Sequence, residues 1–506
     1  MGGFVYVDKT EQVANLVAQG SYYFLSRPRR FGKSLLVDTL KQAFLANKEL
    51  FNGLYLEKVW DWKLNYPVIH FDFGAGVMQS RERLDSKINQ ILNDHYQRYQ
   101  ITNTYTEVGE RFQDLIVKLH TKFKQQVVLL IDEYDKPILD NINDLNLARE
   151  VREGLKNLYS VIKVVDINLK FVLLTGVSKF SKVSLFSGLN NLKDISLDHR
   201  YADICGYTQA ELELNFADYL VAVDKDKLAI WYNGYNFNGN LQQKVYNPFD
   251  ILLFFDNDYT YQNYWFETAT PTFLTKLLQT NNYFMPDLDN LVASSDLIGT
   301  FEIDQLTIEA LLFQSGYLTI EQVEESPFGA TSPNYRLCYP NQEVRTSLNN
   351  SLLNFLASDV STLNQRKNRL ASALLSQDME QVRLVLAATL AGIPYNWQIN
   401  NQLAQAEGYY ATIVYCLFNA LGIYTIAEDA SNHGRADLTC DILKYRIIME
   451  FKLSKYGDAS SALTQIKNKN YAAKYAAEQR PLYLIGISFD PQTRNITDFA
   501  WELAAE

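Results

Sequence analysis

The sequence predicts an α/β protein with an N-terminal parallel sheet covered by helices on both faces, a mostly helical middle region and a C-terminal α/β domain. Strand-sized apolar runs alternate with helical stretches over the first part of the 506-residue chain. The aromatic-rich middle has few clean strand patterns, and the last stretch changes to a helix followed by short strands. A chain of this length suggests about two to four domains. We place their boundaries at residues 1–210, 211–395 and 396–506.

In the N-terminal region, strands are predicted at residues 22–25, 68–73, 127–132 and 171–177. Helices are predicted between them, near residues 34–46, 83–99, 111–122 and 146–161. Residues 127–131 read Val-Val-Leu-Leu-Ile, a continuous apolar run typical of a strand buried on both faces of a parallel sheet. In the C-terminal domain a helix is predicted near residues 404–421, and residues 482–488 are predicted to form the final strand.

Composition excludes several classes of protein. A net charge of −11 argues against a protein coated in basic surface, although a local basic groove stays compatible with it. The four cysteines and five histidines are scattered without metal-ligand spacing. No apolar run approaches membrane-spanning length and no secretory signal is visible. We expect a cytoplasmic protein without a membrane partner.

The most informative segment begins at Arg27 and reads Arg-Pro-Arg-Arg-Phe-Gly-Lys-Ser, between a predicted strand and a predicted helix. In this context backbone N–H groups at a helix N-terminus face a phosphate, Lys33 reaches the β- and γ-phosphates and Ser34 binds Mg²⁺. Arg27 occupies the place of the first glycine in the standard phosphate-binding pattern. A basic turn that caps a helix explains this segment equally well when it is taken alone.

A second strand supplies the acids that a nucleotide site requires. Asp132 and Glu133 follow the apolar run at 127–131, where one carboxylate holds the Mg²⁺ shell and the other polarises the attacking water. A further strand ends at Thr175 to Ser178, and either hydroxyl is a candidate sensor of the γ-phosphate. Each segment alone also fits an ordinary strand end, but their joint occurrence favours a nucleotide site.

The C-terminal domain carries a second group of charged residues. Glu450 and Lys452 share one strand face because side chains alternate, and Asp437 lies on a neighbouring strand. Two carboxylates suit one or two Mg²⁺ ions, and a lysine can orient or help deprotonate a water that attacks a phosphodiester. Gln465 on the following helix and Glu407 on the preceding helix are further catalytic candidates. Glu-x-Lys alone is also common on solvated strands.

Together these motifs resemble the AAA-ATPase-like proteins that carry a C-terminal PD-(D/E)XK nuclease domain, a family frequent in bacteria. The similarity covers nearly the whole chain, and it includes the opening Tyr6 to Thr10, the loop with its absent first glycine, and the C-terminal motifs from Gly434 to Gln465. The resemblance implies an AAA/ASCE-like P-loop domain and a restriction-endonuclease-like domain. It implies ATP and Mg²⁺ as cofactors, with Mn²⁺ as a possible alternative at the nuclease site. The implied nucleotide-binding residues are Arg29, Arg30, Phe31, Gly32, Lys33, Ser34, Leu35, Asp132 and Ser178, with Glu133 as catalytic base.

The sequence therefore predicts an ATPase whose nucleotide state regulates a metal-dependent nuclease, with DNA as the expected substrate and Ser34, Asp132, Asp437 and Glu450 as metal ligands. A homo-oligomer is compatible with this hypothesis. One alternative is a nucleotide-dependent switch or scaffold that binds protein or nucleic acid without cutting it. Another is an ATPase to which the nuclease is merely tethered. Convergence of Asp437, Glu450 and Lys452 on one point would favour the nuclease over the scaffold.

Overall fold

The computed structural model describes residues 5–179, 185–186, 189, 191–239, 244–269, 285–289, 291–299, 307–324, 333–393, 407–478 and 480–504. The chain forms two compact units. The first contains residues 1–265 and 292–340, and the second contains residues 266–291 and 341–506. The three-domain division stays a prediction, and its last boundary, at residue 396, lies outside the described residues. Among the described helices, none has both the length and the apolar character needed to cross a bilayer.

The first unit is built on a five-stranded parallel sheet of order β2-β3-β4-β1-β5. Its strands are β1 (Tyr22–Ser26), β2 (Val68–Asp72), β3 (Val127–Asp132), β4 (Leu169–Gly176) and β5 (Lys193–Asp194). The helices around it are α1 (Thr10–Gln19), α2 (Lys33–Phe44), α3 (Tyr55–Val59), α4 (Arg81–Arg98), α5 (Val108–Phe123), α6 (Lys136–Leu139) and α7 (Leu145–Val164).

The predicted parallel sheet is confirmed. All six residues of β3 are buried, as the continuous apolar run indicates. The short β5 was not predicted, because a two-residue strand leaves no periodic pattern. Strand β4 lies between β1 and β3, so the strand before the phosphate loop is not adjacent to the strand that ends in Asp132.

Strand β2 is an edge strand, and helix α4 covers its outward backbone groups. The Tyr99 hydroxyl, just beyond α4, accepts from the Val68 N–H at 2.9 Å and donates to the Val68 carbonyl at 2.9 Å. The His95 imidazole Nε2 accepts from the His70 N–H at 3.1 Å. These side chains block further strand pairing at this edge. Burial lowers the pKa of His95 to about 4, so the imidazole is neutral at pH 7.

The remainder of the first unit is mainly helical. Its helices are α8 (Gln209–Asn215), α9 (Lys225–Tyr232), α10 (Pro248–Asp256), α11 (Tyr264–Ala269), α12 (Ser295–Gly299) and α13 (Ile308–Ser315), with α11 running across the boundary into the second unit. Strands β6 (Tyr207–Thr208) and β7 (Val245–Tyr246) form a ribbon, and β8 (Leu291–Ser294), β9 (Thr319–Glu324) and β10 (Asn334–Cys338) form a small sheet. An apolar cluster that includes Tyr232, Phe254 and Phe216 packs helices α8, α9, α10 and α11 together. The aromatic-rich middle thus serves as core.

The second unit contains a mixed five-stranded sheet of order β11-β12-β13-β14-β15. Its strands are β11 (Tyr424–Ser431), β12 (Gly434–Ile442), β13 (Tyr445–Leu453), β14 (Leu482–Asp490) and β15 (Asn495–Leu503). Its helices are α14 (Gln342–Leu356), α15 (Val360–Leu375), α16 (Met379–Ala391), α17 (Glu407–Ala420) and α18 (Ala459–Asn468). Only β13 and β14 pair in parallel within this sheet, and α18 lies in the crossover between them and packs on both.

Strand β14 is not the last, since β15 follows and pairs with it in antiparallel orientation. The prediction of a final strand at 482–488 was therefore wrong in that respect. The predicted helix at 404–421 corresponds to α17, and its residues 404–406 lie outside the described residues.

His95 predicts a pH-dependent stability. The pKa of an unfolded histidine is 6.5, whereas the pKa of His95 in the folded protein is about 4. As the pH falls from 6.5 towards 4, the unfolded state gains a proton that the folded state does not, so stability is lost. The loss is on the order of 3 kcal/mol at the acid limit. We expect His95→Gln to flatten the dependence of the thermal midpoint on pH in this range. Parallel curves for the two proteins would contradict the assignment.

Candidate functional site

The segment from Arg27 to Ser34 forms a tight loop between β1 and α2. Gly32 is the N-cap of α2 with φ of 92°, a left-handed conformation that suits glycine. The Lys33 ammonium is buried and donates to the carbonyls of Arg27 and Pro28, both at 2.9 Å. Burial lowers the pKa of Lys33, and the nearby Asp132 opposes this. The loop therefore holds a buried cation at the N-terminus of a helix.

The remaining loop residues include exposed side chains and one buried aromatic ring. Arg29, Arg30, Ser34 and Leu35 are exposed, so they are accessible to a ligand. Phe31 is buried and makes edge contacts with aromatic rings of the middle region, Tyr235 and Phe237. The Arg30 guanidinium lies 4.9 Å from the ring centroid of Phe249.

Arg27, which replaces the first glycine, is a buried structural residue. Its guanidinium donates to the carbonyls of Ser26 at 2.9 Å, Ser196 at 2.7 Å and Tyr201 at 3.0 Å. It also lies 4.0 Å from the ring centroid of Phe237. Burial lowers the pKa of Arg27 to about 10, which leaves it charged at neutral pH. The loop is thus held by a side chain where the standard pattern relies on glycine.

The acids predicted at the end of β3 lie at the carboxyl edge of the sheet. The Asp132 carboxylate is buried and accepts from the Thr175 hydroxyl at 2.5 Å and from the Glu133 N–H at 3.0 Å. Burial raises the pKa of Glu133, Lys33 opposes this and Asp132 reinforces it. Asp72, at the end of β2, is in register with Asp132. Sequence reasoning missed Asp72, although a carboxylate at the end of an apolar strand was the available signal.

Of the two candidate sensors, Thr175 contacts Asp132, whereas Ser178 contacts Asp135. The Ser178 hydroxyl and N–H both donate to the Asp135 carboxylate at 2.7 Å. Asp135 is fully buried, and burial raises its pKa while the Ser178 bonds oppose that change. Contact between Ser178 and a cofactor stays a prediction. Thr175 lies near Asp132, the predicted metal ligand, because its strand β4 pairs directly with β3.

In the second unit, strands β12 and β13 bring Asp437 next to Glu450. Their backbone pairing ends at Leu438 and Met449, one residue before the acids. The Asp437 carboxylate then accepts from the Phe451 N–H at 2.6 Å, in place of a backbone carbonyl. The acids therefore lie just beyond the last backbone pair of the two strands.

Glu450 is the centre of this site. It is 2% exposed, and its Oε1 accepts from the Lys452 ammonium at 3.2 Å and from the Gln465 amide. Its Oε2 is buried and meets no donor at ordinary hydrogen-bond geometry among the described residues, although the Asp437 backbone N–H is near enough to the carboxylate to oppose the rise of its pKa. A buried carboxylate oxygen without a donor is costly unless a cation or water satisfies it. Asp437, Glu450, Lys452 and Gln465 thus converge.

The electrostatics of the site follow from burial. Burial raises the pKa of Glu450 and so does the neighbouring Asp437, while Lys452 opposes both. Burial also raises the pKa of Asp437, which the Phe451 N–H opposes and Glu407 reinforces. Burial opposes the charge of Lys452, yet the carboxylates raise its pKa. Burial and mutual repulsion therefore oppose simultaneous ionisation of the two carboxylates, and a bound cation would favour it.

Glu407, at the start of α17, lies close enough to interact with Lys452 and Asp437. Burial raises its pKa and Lys452 opposes this. Its Oε1 is also buried without a hydrogen-bond partner among the described residues. Tyr471 was missed by sequence reasoning. It is 4% exposed, its hydroxyl bonds to Gln465, and the charges of Glu450 and Asp437 act on it.

Gly486 on β14 allows α18 to approach the site. It is paired with Glu450, and a Cβ there would lie 2.1 Å from the Ala459 carbonyl and 2.8 Å from the Leu463 nitrogen. Only glycine fits such a close contact between a strand and a helix backbone. This packing brings Gln465 of α18 within hydrogen-bond distance of Glu450.

Other basic residues near the site are partly neutralised. Lys467 pairs with Glu502 at 3.2 Å, and Lys474 bonds to the buried Asp429. Lys455 lies 4.7 Å from the Tyr456 ring centroid and has no such acidic partner among the described ion pairs. These ion pairs reduce the positive charge that Lys467 and Lys474 can offer to a phosphate backbone.

The C-terminal residues fit a magnesium ion by their chemistry. Mg²⁺ is commonly held by one or two carboxylates and keeps several waters. Asp437 and the free Oε2 of Glu450 provide this donor set. Among the described residues, no group of three or more His, Cys, Asp or Glu side chains is arranged to hold a metal, so water or backbone oxygens would complete the shell.

The comparisons with known proteins agree with this architecture. A family model described as a predicted AAA-ATPase matches residues 1–186, and one described as the PD-(D/E)XK nuclease superfamily matches residues 405–499. The fold and the sites thus define a protein with an AAA-ATPase-like domain and a PD-(D/E)XK nuclease superfamily domain. The chain is 46% identical over 499 residues to the uncharacterized protein in the vnfD 5′ region of Azotobacter chroococcum mcd 1, covering 99% of this chain and 95% of that protein. The chain belongs to the same family as this relative.

Replacement of Gly486 by alanine tests the packing at the nuclease-like site. The added Cβ would force α18 away from β14, and we expect a loss of about 1–3 kcal/mol in the free energy of unfolding, measured by denaturant titration. The matched control is Gly457→Ala. Its Cβ would meet the Ser461 hydroxyl, which can rotate away. Equal losses in the free energy of unfolding for both variants would show that the backbone contact at Gly486 matters no more to stability than the side-chain contact at Gly457.

Proposed function

We propose that the protein binds and hydrolyses ATP and that its nucleotide state regulates a Mg²⁺-dependent nuclease in its C-terminal domain. The observation that carries the nuclease proposal is the convergence of Asp437, Glu450, Lys452 and Gln465, with a buried Glu450 oxygen left for a cation. Separated side chains would have favoured a scaffold. The substrate is a nucleic-acid phosphodiester, and DNA is the expected form.

In the C-terminal site the chain's own residues position the reaction. Asp437 and Glu450 would hold Mg²⁺, which would neutralise charge at the phosphate and lower the pKa of a bound water. Lys452 donates to Glu450 and is held at the same strand face, where its ammonium can orient the attacking water. Gln465 donates to the same Glu450 oxygen as Lys452 and helps to hold the carboxylate in place. Glu407 adds negative charge beside Lys452, which favours the charged ammonium.

In the N-terminal site the start of α2 supplies N–H groups for phosphates, and Ser34 and Asp132 are the proposed Mg²⁺ ligands. For a phosphate to bind, Lys33 must exchange the carbonyls of Arg27 and Pro28 for phosphate oxygens. Glu133, half-buried beside Asp132 and Lys33, is the proposed base that orients the attacking water.

Regulation is supported by a contact behind the phosphate loop. The Trp265 indole N–H donates to the Arg29 carbonyl at 3.1 Å. Trp265 is the last residue of the first unit before the chain enters the second along helix α11. A change of loop conformation on nucleotide binding therefore acts directly on a residue at the unit boundary.

The alternative function is a nucleotide-dependent switch or scaffold that binds without cleavage. The ion pairs of Lys467 and Lys474 favour it, because they reduce the positive charge available for a nucleic-acid backbone. Under this alternative the C-terminal carboxylates would bind a cation without supporting hydrolysis.

Lys452→Ala tests the nuclease. We expect purified protein with Mg²⁺ or Mn²⁺ to cut at least one form of DNA or RNA, and the variant to lose about 100-fold or more of that rate. The control Lys467→Ala removes a lysine that pairs with Glu502 outside the site and should retain the rate. Absence of cleavage on all substrates would favour the scaffold, and unchanged cleavage by Lys452→Ala would refute the site assignment.

Trp265→Phe tests the coupling. It keeps an aromatic ring but removes the indole N–H, a hydrogen bond worth about 1 kcal/mol. We expect the ratio of cleavage rates with and without ATP to fall about fivefold, while the rate without nucleotide is retained. Trp231→Phe, which alters a ring packed on Tyr232 and Tyr261, is the control. If the wild-type protein cuts at the same rate without nucleotide and with ATP, ADP or a non-hydrolysable analogue, the nuclease is tethered to the ATPase without coupling.

A further inference from the structure

An exposed arginine lies beside the nuclease-like site of the second unit. Arg435 is on β12, two residues before Asp437, and side chains two residues apart in a strand share one face of the sheet. The side chain of Arg435 is 66% exposed. The backbone pairs between β12 and β13 end at Leu438, so Arg435 lies on the part of β12 that pairs with β11. A guanidinium is therefore accessible next to the predicted metal ligand.

The acidic partner of Arg435 is Glu428 on β11. Its Oε2 lies 3.0 Å from the Arg435 Nη1, and the register of the two strands places Glu428 opposite Asp437. Burial raises the pKa of Asp437, and the charge of Glu428 adds to this rise. Glu428 has a φ of 50°, a left-handed conformation that is uncommon for a residue other than glycine and that recurs at functional sites. The ion pair of Arg435 and Glu428 thus borders the site.

This ion pair differs from the others around the site in its exposure. Three lysines nearby are engaged by acids that are more buried than Glu428, namely Lys452, Lys467 and Lys474. The side chain of Glu428 is 44% exposed, and that of Arg435 is 66% exposed. An ion pair that is exposed to water on both sides contributes little to stability. Glu428 can therefore give way to another anion with little loss of stability.

The chemistry of the pair matches a nucleic-acid backbone. The charges of Glu407 and Glu428 act on Asp437, and that of Asp437 acts on Glu450, so the site is strongly acidic before a metal binds. Such a cluster repels a phosphate unless positive charge lies next to it. A guanidinium binds a carboxylate and a phosphate alike, through the N–H groups of its planar fork. The Glu428 carboxylate thus stands where a phosphate on Arg435 would lie.

We propose that Arg435 binds a phosphate of a nucleic-acid backbone that lies across Asp437, and that Glu428 occupies this position in the free protein. This inference rests on the proposed nucleic-acid substrate of the second unit. It makes Arg435 a binding residue and Glu428 a competitor that a bound backbone displaces.

Binding of labelled duplex DNA, single-stranded DNA and RNA to the full chain without metal tests the contact, since the proposed cleavage needs Mg²⁺. For the form that binds most tightly, we expect Arg435→Ala to weaken binding about fivefold or more and to reduce the salt slope by about 1. Arg435→Lys keeps the charge and should keep most of that slope. The control Lys444→Ala removes an exposed lysine at the opposite end of β12 and should change the affinity less than about twofold.

Glu428→Gln tests the displacement. The amide keeps the size of the side chain and removes the competing charge, so we expect binding to tighten about fivefold. In the Arg435→Ala background the same substitution should change the affinity less than about twofold, because no guanidinium remains to be released. Equal gains in the two backgrounds would show that Glu428 acts by repulsion alone and would overturn the displacement.

The outcomes separate this inference from the proposed nuclease. If Arg435→Ala leaves the affinity and the salt slope unchanged while the wild-type protein cuts nucleic acid, the contact is overturned and the nuclease stands. If binding depends on Arg435 but no form is cut with Mg²⁺ or Mn²⁺, the contact stands and the nuclease fails. If the wild-type protein binds no DNA or RNA with or without Mg²⁺, both fail.

Discussion

Buried charge beside the central sheet of each unit governs both halves of this protein. Taking an ion out of water is costly unless hydrogen bonds or opposite charges replace the lost solvation. In the first unit, Lys33 is satisfied by two loop carbonyls and lies near Asp132. In the second, Glu450 is satisfied on one oxygen only, by Lys452 and Gln465. The first site is thus complete within the chain and must exchange partners to bind a ligand. The second site is incomplete and has one oxygen available for a cation.

Sheet topology determines how each cluster forms. Parallel strands end at one edge of a sheet, so Asp72, Asp132 and Thr175 meet there without any special local geometry. The nuclease-like site needs more. The backbone pairing of β12 and β13 must end at Leu438 and Met449, and the glycine on β14 must admit α18. The first arrangement follows from fold class alone, whereas the second depends on particular residues at particular contacts.

This difference explains what the sequence could predict. Strand β3 was predicted with its observed bounds because a continuous apolar run has few other interpretations. The convergence of Glu450 with Lys452 follows from the two-residue period of a strand. By contrast, β15 was missed because its side chains are only partly buried and its pattern is weak. The engagement of Ser178 with Asp135, the place of Tyr471 and the close contact at Gly486 depend on tertiary packing. No local pattern in the chain encodes those contacts.

Arg27 shows how a loop can keep its shape without the first glycine. Glycine permits a sharp turn by backbone freedom, whereas the Arg27 guanidinium fixes this loop through the carbonyls of Ser196 and Tyr201. The loop is therefore tied to a segment that follows the sheet, and its far side contacts Phe237 and Trp265. The carbonyls of Arg27 and Pro28 bond to Lys33, and the carbonyl of Arg29 bonds to Trp265. If a phosphate accepted from the Lys33 ammonium instead, the carbonyls of Arg27 and Pro28 would lose this donor, whereas the Arg29 carbonyl would keep its bond to Trp265. The proposed exchange would therefore act on the loop next to the peptide that is bonded to Trp265, the residue at which the chain first leaves the first unit.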